Sequence, residues 1–390
     1  DELMVKGSVG KDVITTFDLT TKEVTVTDNG SGIPQGRLYE LCTRLYASGK
    51  YHNTDDSAYQ YSAGVNGCGT RLANYLSEYA EFSSMQKGKK LTYRFENGFK
   101  VSEKEEKSKD HGTIVKFKLD NALVKINDLD VDELIRRYEE KSFISPDLHM
   151  TLILLKNGKQ KSKTVYTGKN IIDRVEMMDP DTDVLYDSST QKVSVLENIT
   201  DEKLTEIKVP VEFALAFSEE AVDEENPDKY IISYGNSVKT YTGGVHVQGM
   251  KDAVVKFFRD VLYQDLNKRD QGLDIIPSDI YKGLCGFIIA KSHSPEFKGQ
   301  YKDQLMNPEI RRAVRDAVFD ALCNAKPAFQ KKMTEFVVRV ARGRLESKKA
   351  RTKGKDVSNS FSKDRIKKYS PIVRTINTVE SELILVEGIA

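Results

Sequence analysis

At 390 residues the chain is longer than one ordinary core needs, and two or three domains are expected. Apolar content of 39% with 31% charged residues is that of a soluble globular protein, and the absence of any run of 18 apolar residues excludes a membrane-spanning helix. The net charge of +1 is uninformative, but it is unevenly spread: residues 339–368 carry twelve Lys or Arg against three acids, while "SEEAVDEENPDK" at 218–229 is acidic. A basic segment in a balanced protein fits a polyanionic partner as well as it fits a solvated linker. The cysteines at 42, 68, 285 and 323 are scattered and have no C-x-x-C spacing, which argues against zinc and disulfides and fits a reducing compartment. No signal peptide precedes Asp1, and the chain does not begin with Met.

Residues 12–28 alternate as two strands joined at "LTTKE", a hairpin. "QGRLYELCTRLYAS" (35–48) has helical spacing at Leu38, Leu41, Leu45 and Tyr46. Residues 49–69 are polar and glycine-rich, and a loop of that length is normally functional or disordered. "TRLANYLSEYAEFSS" (70–84) returns to helical period, with Leu72, Tyr75, Leu76 and Tyr79 on one face. Strands follow at "KLTYRFENG" and "TIVKFKLD", separated by a charged turn "SEKEEKSKDHG". Then come a helix over 131–142 and a strand and turn in "HMTLILLKNGKQ". The first unit is therefore a mostly antiparallel sheet with helices, an α+β pattern. A second unit starts after "MMDPDTD" (177–183), with strands in "KVPVEFALAF", "KYIISYGNSV" and "LCGFIIAKSH" and an amphipathic helix at 250–266. A long helical pattern runs from Glu309 toward Arg351 with a break or kink at Pro327. The basic "RTKGKDVSNSFSKDRIKK" reads as a linker or exposed arm, and the chain ends on the apolar strand "SELILVEGIA".

Four short stretches carry candidate chemistry. "EVTVTDNGSGIP" (23–34) ends a strand on Asp28 and turns through Asn29, Gly30 and Gly32. It reads as a tight turn, or as the floor of a ligand site in which Asp28 accepts a hydrogen bond and the glycines admit a close ligand. "AGVNGCGT" (63–70) places three glycines at the start of a helix, where free N–H groups can face an anion. It lacks the Gly-Lys-Ser/Thr of a P-loop and does not follow a parallel strand. "HGTIVKF" opens a strand at Thr113, and "FKGQYKDQL" (297–305) is a polar loop with Gln300 and Lys302.

In this order, Asp28-x-Gly30-x-Gly32, the G-x-x-G-x-G loop and Gly112-Thr113 resemble the motifs of the GHKL ATPase superfamily. Residues 45–77 resemble the ATP lid and following helix of type IIA DNA topoisomerases. "NSVKTYTGGVHVQG" resembles part of their transducer domain, and "FKGQYKDQL" their Q-T-K loop with Tyr301 in place of Thr. "SELILVEG" resembles the opening strand of their Toprim domain. The resemblance covers nearly the whole chain and is to the ATPase subunit of gyrase, topoisomerase IV and related phage enzymes. The short "GVNGCG" form is also similar to eukaryotic topoisomerase II.

The resemblance implies a GHKL (Bergerat) ATPase sandwich over 1–178 and a transducer domain of ribosomal-protein-S5-like βαβ type over 179–340. A helical, basic linker over 341–380 and the start of a Toprim domain over 381–390 would follow. It implies ATP and Mg²⁺ as cofactors. Asp28 and Thr113 would hold the adenine amino group, with Gly30, Gly32, Ile33 and Pro34 beside the purine. Gly64, Val65, Asn66, Gly67, Cys68 and Gly69 would cradle the phosphates, with Lys50 on the lid. Gln300 and Lys302 would reach the γ-phosphate. Glu387 would be a Toprim acid and metal ligand. The implied partners are double-stranded DNA, a second copy through the ATPase domains, and a DNA-cleaving tyrosine subunit or downstream domain. The implied location is the cytoplasm or nucleoid of a bacterium or infected host cell, or a eukaryotic nucleus.

Three departures qualify this. The family's catalytic Glu and Mg²⁺-binding Asn lie on a helix ending in Asp-Glu, and Asp1-Glu2 match only its end. Ser31 stands where bacterial members commonly have Arg. Beyond Glu387-Gly388 the Toprim pattern gives way to Ile389-Ala390, so the sequence reads as a fragment. Two other classes remain open: a GHKL clamp of MutL-like repair or chaperone type, and a non-catalytic nucleotide-binding structural protein.

Overall fold

The structure is a computed structural model describing residues 10–44, 61, 69–124, 130–196, 204–222, 226, 228–299 and 301–364, the last twelve as backbone only. The described residues form two sheets. The first has eight strands: β1 (Asp12–Asp18), β2 (Glu23–Asp28), β3 (Ser77–Gln86), β4 (Lys89–Glu96), β5 (Phe99–Lys107), β6 (Gly112–Leu119), β7 (His149–Lys156) and β8 (Lys159–Tyr166). Their spatial order is β5-β4-β3-β6-β2-β1-β7-β8. All neighbours are antiparallel except β1 and β7.

Two helices cover one face of this sheet. Helix α1 (Gln35–Thr43) buries Leu38 and Cys42 against Ala80, Phe82, Leu91, Tyr93 and Phe95. Helix α3 (Val131–Ile144) lays Val131, Leu134, Ile135 and Tyr138 on Phe17, Leu152 and Leu154. That i, i+3, i+4, i+7 spacing is an apolar stripe, and Asp130 caps the helix by accepting the Glu133 N–H at 2.9 Å.

The helix expected over 70–84 is corrected. Helix α2 spans only Gly69–Tyr75, and β3 begins at Ser77. Leu72 and Tyr75, two residues of the expected helix face, are exposed. From Ser77 onward the chain is a central strand, and its pairing with both β4 and β6 outweighs the local helical spacing. The charged turn after β4 is also corrected. Residues 99–107 form edge strand β5, exposed along its whole length. Lysines and glutamates are what a solvent-facing edge tolerates.

The second sheet contains β9 (Leu185–Leu196), β10 (Leu204–Phe217), β11 (Ile231–Gly235), β12 (Val238–Lys239) and β13 (Leu284–Ala290), in the order β12-β11-β13-β10-β9. It is covered on both faces. Helices α5 (Val245–Asp260) and α8 (Pro308–Cys323) pack on Val209, Val211, Phe213 and Leu215. Helix α4 (Ile171–Glu176) packs on Ala214, Ala216, Phe287 and Ile289. All seven residues of β13 are buried, as its unbroken apolar run requires of a strand covered on both sides.

Two short helices, α6 (Lys268–Gln271) and α7 (Pro277–Tyr281), precede β13. Pro327 opens helix α9 (Pro327–Asp364) rather than kinking a single helix. The basic stretch expected to be a linker or exposed arm is thus helical as far as Asp364.

Helix α3 joins the two units. Its first half lies on the first sheet, while Phe143 enters the core of the second beside Tyr234 and Phe287. Glu140 accepts from Lys239 Nζ at 2.6 and 2.8 Å and from the Tyr234 hydroxyl at 3.1 Å. Lys141 donates to the Ser237 carbonyl, and burial lowers its pKa to about 8.

Candidate functional site

The polar end of the first sheet lies where β2 and β3 end and β6 begins. Register places Asp28 opposite Thr113, and Thr113 opposite Ser84, so the three side chains form one row. Counting in steps of two from Phe17, Val24 and Phe117 puts this row on the face that α1 and α3 cover. The carboxylate of Asp28 accepts the N–H of Gly30 at 2.9 Å and the N–H of Thr113 at 3.2 Å, both at Oδ1. Among the described residues no donor reaches Oδ2. The Thr113 hydroxyl is buried and has no hydrogen-bond partner among them. A buried hydroxyl left unpaired costs free energy, so its position argues for a ligand atom there.

The turn after Asp28 is tight, and its glycines bring backbone close to backbone. Asn29 exchanges hydrogen bonds with Asp12 at 2.9 and 2.6 Å, which closes the turn onto β1. Gly32 has φ +72, and a Cβ there would meet the Met85 carbonyl at 2.8 Å. Gly112 has φ +119, and a Cβ would stand 2.0 Å from the Asp28 carbonyl. Only glycine allows the two strand ends to approach this closely. The Ile33 carbonyl accepts from Ser84 Oγ at 2.6 Å and from the Gln86 amide, and His111 Nδ1 lies 2.9 Å from the Gly30 carbonyl. Pro34 then precedes the first turn of α1.

Asp28, Gly30, Gly32, Ile33 and Thr113 are thus brought together, and Gly69 opens α2. Lys50, Gly64, Val65, Asn66, Gly67, Cys68, Gln300 and Glu387 lie outside the described residues, as do Asp1 and Glu2. Among the described residues no group of three or more His, Cys, Asp and Glu could hold a metal. Ser84, Gln86 and His111 carry no signal of their own in the sequence. Ser84 and Gln86 sit on a strand whose register only the fold reveals, and His111 is visible only as the neighbour of Gly112.

Lys302 sits in a loop of the second unit. Phe297 and Leu305 bridge its base, and Leu305 pairs with Gly244, where a Cβ would meet the Leu305 carbonyl at 2.4 Å. The loop is therefore firmly rooted although Tyr301 at its tip is 89% exposed. Lys302 has φ +59, with its ammonium 5.9 Å from the centre of the Phe297 ring. The same connection touches the first unit: the ring of His293 stacks on Tyr61, within the glycine-rich segment, at 4.8 Å and 21°. Asn236 clasps Ser292 beside it, by bonds of 3.0 and 2.8 Å.

Residues 170–353 match the family model for DNA gyrase B. The chain is 30% identical over 346 residues to the DNA gyrase B protein of Thermotoga maritima, covering 84% of this chain and 51% of that protein. It is 28% identical over 385 residues to the DNA topoisomerase 4 B protein of Staphylococcus aureus, covering 94% and 55%. Along most of its length the chain is similar to the B proteins of DNA gyrase and DNA topoisomerase 4. It spans about half the length of the curated relatives it matches. Its fold is shared with the topoisomerase IV ATP-binding domain of Francisella tularensis, at a TM-score of 0.61, 19% identity and coverage of 86% and 87%. It is shared too with the ATPase region of Saccharomyces cerevisiae topoisomerase II, at a TM-score of 0.55, 22% identity and coverage of 83% and 79%. The likeness to these structures extends over both sheets and shows a shared fold.

The basic stretch of this chain is partly engaged internally. Arg339 pairs with Glu219 at 2.6 Å, Arg342 with Asp270, and Arg344 with Asp279 at 2.8 Å. Cys42 is a core residue whose thiol burial pushes up to about 12, which removes it as a nucleophile. No helix of the described residues is long and apolar enough to cross a membrane.

Proposed function

We propose that this chain is the ATP-binding clamp of a type II DNA topoisomerase, in which ATP binding closes two copies over a DNA duplex and hydrolysis resets them. The observation that carries the reading is the pairing of Asp28 Oδ2, open among the described residues, with the unpartnered Thr113 hydroxyl beside it. Asp28 accepts from the exocyclic amine of adenine while its other oxygen stays locked to the backbone. The purine lies over Gly30, Gly32, Ile33 and Pro34. Gly64, Val65, Asn66, Gly67, Cys68 and Gly69 cradle the phosphates, and Lys50 lies near them. Lys302 and Gln300 reach the γ-phosphate from the second unit, a contact that exists only while ATP is intact, so hydrolysis removes the partner and lets the two units rotate. Domains over 1–178 and 179–340, a basic linker over 341–380 and a Toprim start over 381–390 with Glu387 complete the proposal. A DNA-cleaving tyrosine subunit or downstream domain and Mg²⁺ belong to the same reading. So does a location alongside DNA, in a bacterial or infected cell or in a nucleus.

Calorimetric titration of the chain with non-hydrolysable ATP and GTP analogues tests this. Guanine presents a carbonyl where adenine presents an amine, so the carboxylate loses its donor, at a cost of about 1–3 kcal/mol. Preference for the adenine analogue by roughly tenfold or more is expected, and equal affinity overturns the assignment.

A further inference from the structure

The two edges of the first sheet are protected from open pairing in different ways. Edge strand β5 carries three lysines and three glutamates, and it is charge-balanced. Lys100 pairs with Glu103 at 3.0 Å and Lys104 with Glu106 at 2.7 Å, while Glu105 pairs with Lys89 of β4 at 2.6 Å. Edge strand β8, "KQKSKTVY", carries Lys159, Lys161 and Lys163 and no acid. Across its turn Lys159 stands directly opposite Lys156. The adjoining β1–β2 turn, held to this one by two hydrogen bonds between Thr20 and Asn157, adds Lys22. Among the described residues none of these five lysines has an ion pair. The nearby acid Asp18 already accepts the N–H groups of Thr20 and Thr21.

Edge protection needs charge but not charge of one sign, as β5 demonstrates on the same sheet. Like charges opposite one another across a hairpin are destabilising, so Lys156 facing Lys159 is a cost that edge protection leaves unexplained. We propose that the β7–β8 hairpin and its edge strand, through Lys22, Lys156, Lys159, Lys161 and Lys163, form a docking surface for the phosphate backbone of duplex DNA. Lysine at an exposed edge meets phosphate as a point charge and carries no sequence readout, so binding here is strongly salt-dependent and indifferent to sequence. The surface is separate from the nucleotide row and from the basic stretch of α9. It rests on the proposed function only in taking DNA as the polyanion.

The test is fluorescence anisotropy of the whole chain with a labelled mixed-sequence duplex across a salt series. Variants are the quadruple Lys156→Gln, Lys159→Gln, Lys161→Gln, Lys163→Gln, its Lys→Arg counterpart, and a control with Lys100→Gln, Lys104→Gln and Lys107→Gln on β5. The Gln quadruple is expected to bind at least about tenfold more weakly at low salt, with the slope of log K against log salt shallower by about 0.9 per lysine removed. The Arg quadruple keeps the wild-type slope, which separates charge from any loss of fold. An unchanged slope in the Gln quadruple overturns the proposal, and so does an equal loss in the β5 control. Flotation with phosphatidylserine vesicles covers the other anionic surface: lost vesicle binding with intact DNA binding overturns it as well. Binding of an ATP analogue stays unchanged in every variant. A chain that binds DNA through this edge yet takes no adenine nucleotide overturns the proposed function and leaves this surface standing.

Discussion

The backbone N–H of Thr113 donates to Asp28 Oδ1 at 3.2 Å while the hydroxyl of the same threonine, buried beside it, has no partner among the described residues. One residue thus fixes the carboxylate and supplies a second polar group to whatever fills the site. Asp28→Asn separates these roles, because the amide oxygen can still accept from Gly30 and Thr113 while its NH₂ faces the ligand. Melting within a few degrees of wild type is expected, with affinity for an ATP analogue reduced at least about tenfold, the cost of one unpaired buried donor. Calorimetry beside a thermal melt measures both.

Lys302 is expected to distinguish ATP from ADP, since only ATP carries the γ-phosphate. A charge-assisted contact is worth about 1.5–3 kcal/mol, so Lys302→Ala should weaken an ATP analogue by about ten- to a hundredfold and leave ADP nearly unchanged. Lys298→Ala in the same loop is the comparison. If both variants bind analogue and ADP in the wild-type ratio, the loop is ordinary surface.

Gly112→Ala tests the close approach of β2 and β6. Its Cβ would overlap the Asp28 carbonyl, and the residue has φ +119. Loss of at least about 1–3 kcal/mol in a denaturant titration is expected, from backbone strain alone. A variant as stable as wild type would show that the strand ends are not held as described.

His246, at the start of α5, is buried and neutral, with Nε2 3.1 Å from Thr240 Oγ1 and Nδ1 unpartnered among the described residues. Burial lowers its pKa to about 3. The unfolded chain therefore binds a proton that the folded chain refuses between about 6.5 and 3. This contribution to stability is complete above pH 6.5 and is lost as pH falls through that window. His246→Gln should flatten this part of the acid limb in denaturant midpoints measured from pH 7 to 4. An unchanged slope would show that other groups govern acid unfolding.

Glu140 ties α3 to the second sheet through Lys239 and Tyr234. Glu140→Ala leaves a half-buried ammonium and a phenol without their acceptor, and a loss of about 1–3 kcal/mol is expected. Double-mutant cycles with Lys239→Met measure the coupling, and a coupling near zero would mean that the joint rests on Phe143 and the Lys141–Ser237 bond rather than on this pair.

The sequence by itself determined most elements that local chemistry dictates. The β1–β2 hairpin, α3, the Asn157-Gly158 turn, β13, α5 and the break at Pro327 follow from alternation, helical spacing and turn residues. It also made the end of β2 recognisable, because Asp28, Gly30 and Gly32 are constrained by their immediate neighbours. Tertiary structure decided what depends on pairing. Residues 77–84 have helical spacing, but two flanking strands make them β3. The charged run after β4 became a strand because its backbone completes the β4 ladder while its side chains stay in water. Ser84 joined the row of Asp28 and Thr113 only through cross-strand register, which no local window contains. The same holds for the hairpin lysines: each reads as a solvated charge, and only the fold sets them together on an edge where no described residue supplies a counter-charge.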